Sequence, residues 1–99
     1  MHARVTTISG GSADQLDNGV SDFQSNAVPT LKEMGSKGAI LLVDRESGNT
    51  MAITLWPDEA ALRASEERAN ELRRGVTEQL GVSEQPSVDR YEVAVFETS

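Results

Sequence analysis

The chain has 99 residues, of which 37% are hydrophobic and 25% charged, and a formal net charge of −7. That length suits one hydrophobic core, so a single domain over residues 1–99 is expected. The acidic balance weighs against holding a nucleic-acid backbone or an anionic membrane surface, and the lack of cysteine excludes disulfides, thiolate nucleophiles and Cys-based metal sites. No apolar run approaches the ~20 residues that cross a bilayer, and the opening Met1-His2-Ala3-Arg4-Val5 lacks the pattern of a signal peptide, so a cytoplasmic location is expected.

His2 to Ser9 contains the β-branched run Val5-Thr6-Thr7-Ile8 and reads as a strand ended by Gly10-Gly11. Ser12, with Gln15 three residues on, forms a capping-box pattern that opens a helix. Leu16, Val20, Phe23, Ala27, Leu31 and Met34 follow at helical spacing and trace one apolar stripe over about Ala13–Met34. Pro29 lacks a backbone donor and crowds the turn before it, which predicts a kink or break near Ala27-Val28; Gly35 ends the helix.

Gly38 to Asp44 is a second strand whose five successive apolar residues point to both faces of a sheet. Ser47-Gly48-Asn49 is turn chemistry. The third strand, Met51–Trp56, sets Met51, Ile53 and Leu55 on one face and Ala52, Thr54 and Trp56 on the other, and the short link makes the pair an antiparallel hairpin. Pro57-Asp58 starts a second helix with the stripe Leu62, Ser65, Ala69, Leu72, Val76 and Leu80, an outer Glu59–Arg63 pair, and Gly81 as its cap. Gly75 inside that pattern predicts a bend, or an end with a last turn resumed after it. After a polar loop over Val82–Ser87, Val88–Glu97 reads as the last strand, with Tyr91, Val93 and Val95 on one face.

The order strand, helix, strand, strand, helix, strand predicts an α+β fold: ferredoxin-like βαββαβ, with a four-stranded antiparallel sheet. Right-handed crossovers put both helices on one face of the sheet. In the second strand Ala39, Leu41 and Val43 take one side while Ile40 and Leu42 take the other, so one apolar set must lie away from the helices. Each such side chain gains about 1.5–3 kcal/mol on burial. Two identical sheets meeting face to face, a homodimer, is the expected solution.

Several pieces together resemble the dimeric α/β-barrel superfamily and, within it, the antibiotic-biosynthesis-monooxygenase-like domains. They are Ala3-Arg4-Val5, Val28-Pro29 with Leu31, Gly35 and Gly38, Asp44-Arg45 with Ser47-Gly48, Leu55-Trp56 followed by Asp58-Glu59-Ala60-Ala61-Leu62, and Tyr91-Glu92-Val93. The resemblance implies a dimeric α/β barrel and a family that includes cofactor-independent oxygenases of aromatic polyketides, haem-degrading enzymes and stress-associated proteins. The haem-degrading branch would have an Asn on the first strand and a His about three turns into the second helix. Here stand Arg4, Thr6 and Ile8, with Glu66 near the place of that His and His2 the only histidine. A haem ligand is thus missing, and no cofactor is implied.

In the oxygenases the substrate lies between helices and sheet, where an apolar lining and a base within reach are needed. Trp56, Phe23, Thr6 and Thr54 are the candidate pocket residues, and Glu66, Tyr91 and Glu92 the candidate bases. Each has a plainer reading. Trp56 can cap the core with its N–H on a backbone carbonyl; Phe23 can be core; Glu66 and Glu67 can be a wet helix face. Arg4 and Arg90 can pair with Glu92 or hold an anion, and His2 can be solvated. Asp14, Asp17 and Asp22 lack the features of a calcium loop, so no metal site is expected. Two functions stay open: a dimeric binding or stress-associated protein that takes a small apolar or aromatic molecule, and a cofactor-independent monooxygenase acting on an aromatic polyketide-like substrate.

Overall fold

A computed structural model of the chain describes residues 1–81 and 85–98. Its elements are β1 (His2–Ile8), α1 (Ala13–Asp22), a π turn (Phe23–Ala27), α2 (Val28–Glu33), β2 (Gly38–Val43), β3 (Thr50–Trp56), α3 (Glu59–Ala64), α4 (Glu66–Leu80) and β4 (Ser87–Glu92). All strand pairs are antiparallel, in the order β2-β3-β1-β4. The ferredoxin-like architecture predicted by the hydrophobic pattern is therefore present. The polar loop read over Val82–Ser87 lies partly outside the described residues.

Local chemistry accounts for the element ends. Ser12 Oγ accepts from Gln15 N–H at 3.3 Å and donates to the Gln15 side chain at 3.2 Å, and Asp58 Oδ1 accepts from Ala61 N–H at 2.8 Å; each satisfies a helix-start donor. Gly35, at φ +93°, lets Ser36 N–H reach back to Leu31 C=O at 3.0 Å, closing α2 in a left-handed cap.

The sheet alternates as predicted. Ile8, Ala39, Leu41, Val43, Ala52 and Trp56 pack under the helices with Leu16, Phe23, Leu31, Leu62, Val76 and Leu80. The opposite face carries Val5, Ile53, Ile40 and Leu42, the last two 42% and 49% exposed. Tyr91, opposite Ala3, lies on the same outer face and is 56% exposed.

Two expectations change, and a third is met in a specific form. The first helix does break near Ala27-Val28, by a change of helix type. It widens into the π turn, where Val28 N–H bonds Phe23 C=O, and resumes with Pro29 in the first turn of α2. The wide turn accommodates a ring that would crowd a regular α-turn, and the missing proline donor falls where a helix start leaves one free. The second helix does not end at Gly75: α4 runs through it, and the interruption is at Ser65. Packing of α4 on α1 overrides the local cost of one glycine. Finally, β4 stops at Glu92, well short of Glu97. Among the described residues its neighbour in the sheet is β1, which begins at His2, and past the bond from Val93 N–H to Met1 C=O at 2.9 Å no described strand pairs with it. Val95 and Phe96 consequently stay exposed.

Candidate functional site

The period-two alternation of β1 puts Arg4 on the same face as Thr6 and Ile8, under the helices. Arg4 is only 2% exposed. Both hydrogens of its Nη2 are engaged: it donates to Leu62 C=O and to Ser65 Oγ, each at 2.9 Å. Ser65 Oγ also donates to Leu62 C=O at 2.7 Å. Leu62 C=O is thus held by side chains and by the Ser65 N–H at 3.3 Å, which accounts for the break between α3 and α4. The interruption is a docking point for a buried guanidinium.

Directly across the strand pair from Arg4 lies Arg90 on β4. Two like charges opposite each other repel, and Glu66, the first residue of α4, resolves this. Its Oε2 accepts from Arg90 Nη2 at 2.7 Å and its Oε1 accepts from Arg90 Nε, while Oε1 stands 3.3 Å from Arg4 Nη2. The Arg90 hydrogen bonds, with Arg4 adding charge attraction against the opposing effect of burial, bring the Glu66 pKa from 4.5 to about 2. Glu66 is therefore a fixed anion that neutralises guanidiniums, with little basicity left. Arg4, expected to pair with Glu92 or an anion, pairs within the chain with Glu66 and not with Glu92.

The remaining edge of Arg4 is incomplete. Nε and both hydrogens of Nη1 have no partner among the described residues. Burial lowers the Arg4 pKa, partly offset by Glu66. A buried donor left without a partner costs about 1–3 kcal/mol, more when charged. Fully satisfied pairing is the rule for a guanidinium that serves only as structural cement.

Arg4 lines a cavity of about 50 Å³ between sheet and helices. The sheet supplies Thr6, Ile8, Leu41, Ala52 and Thr54; the helical layer supplies Phe23 and Ala27 from the π turn, Leu31 from α2, and Ala69, Leu72, Arg73 and Val76 from α4. The π turn that accommodates Pro29 thus also shapes the cavity roof. Arg73 donates from Nη1 to Asn70 Oδ1, and its buried Nε has no partner among the described residues. Its pKa is lowered by burial and then by the charge of Arg4.

Of the four residues read as pocket candidates, Phe23, Thr6 and Thr54 line this cavity. Trp56 is fully buried and is not part of the lining. Its Nε1–H donates to Thr54 Oγ1 at 3.0 Å, a side-chain acceptor in place of the expected backbone carbonyl. The Arg4 guanidinium carbon sits 5.7 Å from the Trp56 ring centroid, within cation–π range. Trp56 therefore touches the site through Thr54 and Arg4. Glu66, Tyr91 and Glu92 are not brought together: Tyr91 is on the far face of the sheet, Glu92 is exposed on the edge strand, and Glu66 faces an open cleft with His2, Leu62, Arg63 and Arg90. Among the described residues that line the cavity, the ionisable groups are Arg4 and Arg73. Neither was read from the sequence as a pocket residue, although parity with Thr6 and Ile8 was a signal for Arg4. No group of three His, Asp or Glu side chains comes together among the described residues.

No family model matches the chain. The uncharacterized protein Rv2557 of Mycobacterium tuberculosis strain H37Rv is 35% identical over 97 residues, covering 97% of this chain and 42% of the relative; the chain spans less than half the length of the curated relatives it matches. Among solved structures, the ActVA-Orf6 monooxygenase of Streptomyces coelicolor in complex with nanaomycin D superposes with a TM-score of 0.72 at 19% identity, over 98% of this chain and 92% of that one. A dimeric ferredoxin-like protein from an uncultured marine organism gives 0.74 at 11% identity, over 97% of each chain. The chain shares the ferredoxin-like fold of the antibiotic biosynthesis monooxygenases and of dimeric ferredoxin-like proteins.

Proposed function

We propose that this chain forms a homodimer through the outer face of its sheet and binds a small apolar or aromatic molecule in the cavity between sheet and helices. The cavity carries the reading: apolar walls from both layers, interrupted by the hydroxyls of Thr6 and Thr54 and by two guanidiniums, are the composition of a ligand pocket. The dimer is supported by Ile40, Leu42 and Tyr91 on the uncovered face and by the dimeric assembly of the ferredoxin-like neighbours. Size favours a small occupant. An engineered apolar cavity of about 150 Å³ takes up benzene, and this one is near 50 Å³, so a fused-ring molecule requires the helical layer to move outward.

Trp56 supplies the test. It is the sole tryptophan and is hydrogen-bonded to a lining hydroxyl, so occupancy should alter its emission saturably. A panel of small phenols, aromatic acids and short aliphatic compounds that produces no saturable change defeats the proposal.

An oxygenase is the second reading, drawn from the fold shared with the Streptomyces monooxygenase. The observation favouring it is the unpartnered edge of Arg4, which would stabilise an ionised phenol. Since the ionisable lining groups are both arginines, the substrate's own acidity would have to supply that anion. Oxygen uptake with phenols and quinols tests it, and no consumption across the panel leaves the binding protein.

A further inference from the structure

We propose that the cavity recognises a small carboxylic acid, its carboxylate held by the free donors of Arg4 and Arg73 and its hydrocarbon part lying against the π turn and α2. This rests on the reading that the cavity binds a small molecule, and adds the chemical class.

Three observations carry it. First, two arginines, the buried Arg4 and the half-buried Arg73, line the same small cavity, and Nε and Nη1 of Arg4 and Nε of Arg73 are buried donors that no described residue satisfies. Buried donors of this kind in a native fold mark a partner from outside the chain. Second, the local charge is one-sided. Arg4, Arg73 and Arg90 act on one another and on two carboxylates, Glu66 and, at Arg90 alone, Asp89, in a chain whose overall charge is −7. Glu66 meets Arg4 only at Nη2, with Oε1 3.3 Å away, and leaves Nε and Nη1 without a partner among the described residues. One further anion at the cavity end of Arg4 would balance the cluster. Third, the rest of the wall is apolar: Ile8, Phe23, Ala27 and Leu31. A bare inorganic anion would lose its hydration against these side chains with nothing in return, whereas a carboxylate joined to a short hydrocarbon suits both halves. The volume of about 50 Å³ holds the acid group and the first carbons. Leu41, Ala52, Leu72 and Arg73, the half-buried members of the wall, mark the side toward which a larger body would extend.

The test uses two acids and their uncharged isosteres, butyrate with butyramide and benzoate with benzamide, titrated into the full chain and followed by the arginine Nε–H and Trp56 indole resonances in ¹H–¹⁵N NMR spectra. The acids should shift Arg4, Arg73 and Trp56 saturably and together, with the amides weaker by about tenfold or more. Arg73→Gln leaves the bonds of Arg4 to Leu62 and Ser65 in place and should weaken the acids by about tenfold while leaving the amides within about twofold. Arg4→Lys, which keeps the charge, serves as the second variant if its spectrum shows a folded chain, and should also weaken the acids. Amides binding as tightly as acids would overturn the carboxylate assignment and leave the cavity reading standing. Sulfate competing on equal terms with butyrate would assign the site to a bare anion and overturn the acid. Shifts confined to exposed arginines such as Arg63 and Arg68 would likewise overturn it. No binding by any of the four compounds would remove the small-molecule reading and this inference with it.

Discussion

Replacing Glu66 by Gln removes the one carboxylate that stands between Arg4 and Arg90, and its consequence depends on pH in a defined direction. The folded-state pKa of Glu66 is depressed from 4.5 to about 2, first by the Arg90 hydrogen bonds and then by Arg4. A depressed carboxylate contributes stability that is fully present above its unfolded pKa and is lost as pH falls through its folded pKa. The full shift corresponds to about 3 kcal/mol. Because the pair with Arg90 is open to solvent, screening reduces this to about 1–2 kcal/mol. Urea unfolding at fixed protomer concentration, needed because a dimer is proposed, should show Glu66→Gln less stable by that amount near neutral pH. The gap should narrow by roughly a third to a half between about pH 6 and pH 3.5. A gap that does not change over that range, or a Gln variant as stable as the parent at neutral pH, would refute the role given to Glu66.

Leu42→Glu places a charge on the uncovered sheet face, and two-fold symmetry counts it twice; dimerisation should weaken by about 100-fold or more, read by sedimentation velocity, and an undisturbed dimer would show that this face is not the interface. Thr54→Val deprives Trp56 Nε1 of its acceptor and should cost about 1–2 kcal/mol in chemical denaturation, with a shifted tryptophan emission; unchanged stability would mean that the indole finds another partner. Gly48→Ala should destabilise by about 2 kcal/mol or more, because Gly48 sits at φ +80° and an added Cβ would overlap the Gly11 carbonyl oxygen; a neutral effect on thermal unfolding would contradict the described hairpin geometry.

The parts of the fold that were legible in the sequence are those written in local periodicity. The run Gly38–Val43 showed a sheet apolar on both sides, and the stripe from Leu62 to Leu80 showed a helix, since side-chain spacing alone carries that information. The break at Ser65 was not legible, because its cause is a guanidinium from β1, far away in sequence, competing for Leu62 C=O. The early end of β4 was hidden for a similar reason: a strand stops where its neighbour stops, and the strand order was not known. Pro29 did announce a disturbance, but the response of the helix, a wider turn placed before the proline, depends on packing around Phe23 and Ala27. At the site, Thr6, Thr54 and Phe23 could be named as residues of suitable chemistry on suitable faces. Arg4 reads as an ion pair because charged residues are rarely buried; its parity with Thr6 and Ile8 was the unused clue to its place under the helices. The hydrogen bond of Trp56 to Thr54 joins residues two apart on one strand face, a relation the alternation itself contains.

Native mass spectrometry of the purified chain, with and without added butyrate, addresses the paired claims of a dimer and an acid-binding cavity in one measurement. The account predicts twice the chain mass, with a small acid retained or taken up at one site per protomer and lost more readily from the Arg73→Gln protein. A bare monomer at all accessible concentrations, or a dimer that takes up neither butyrate nor benzoate, would contradict it.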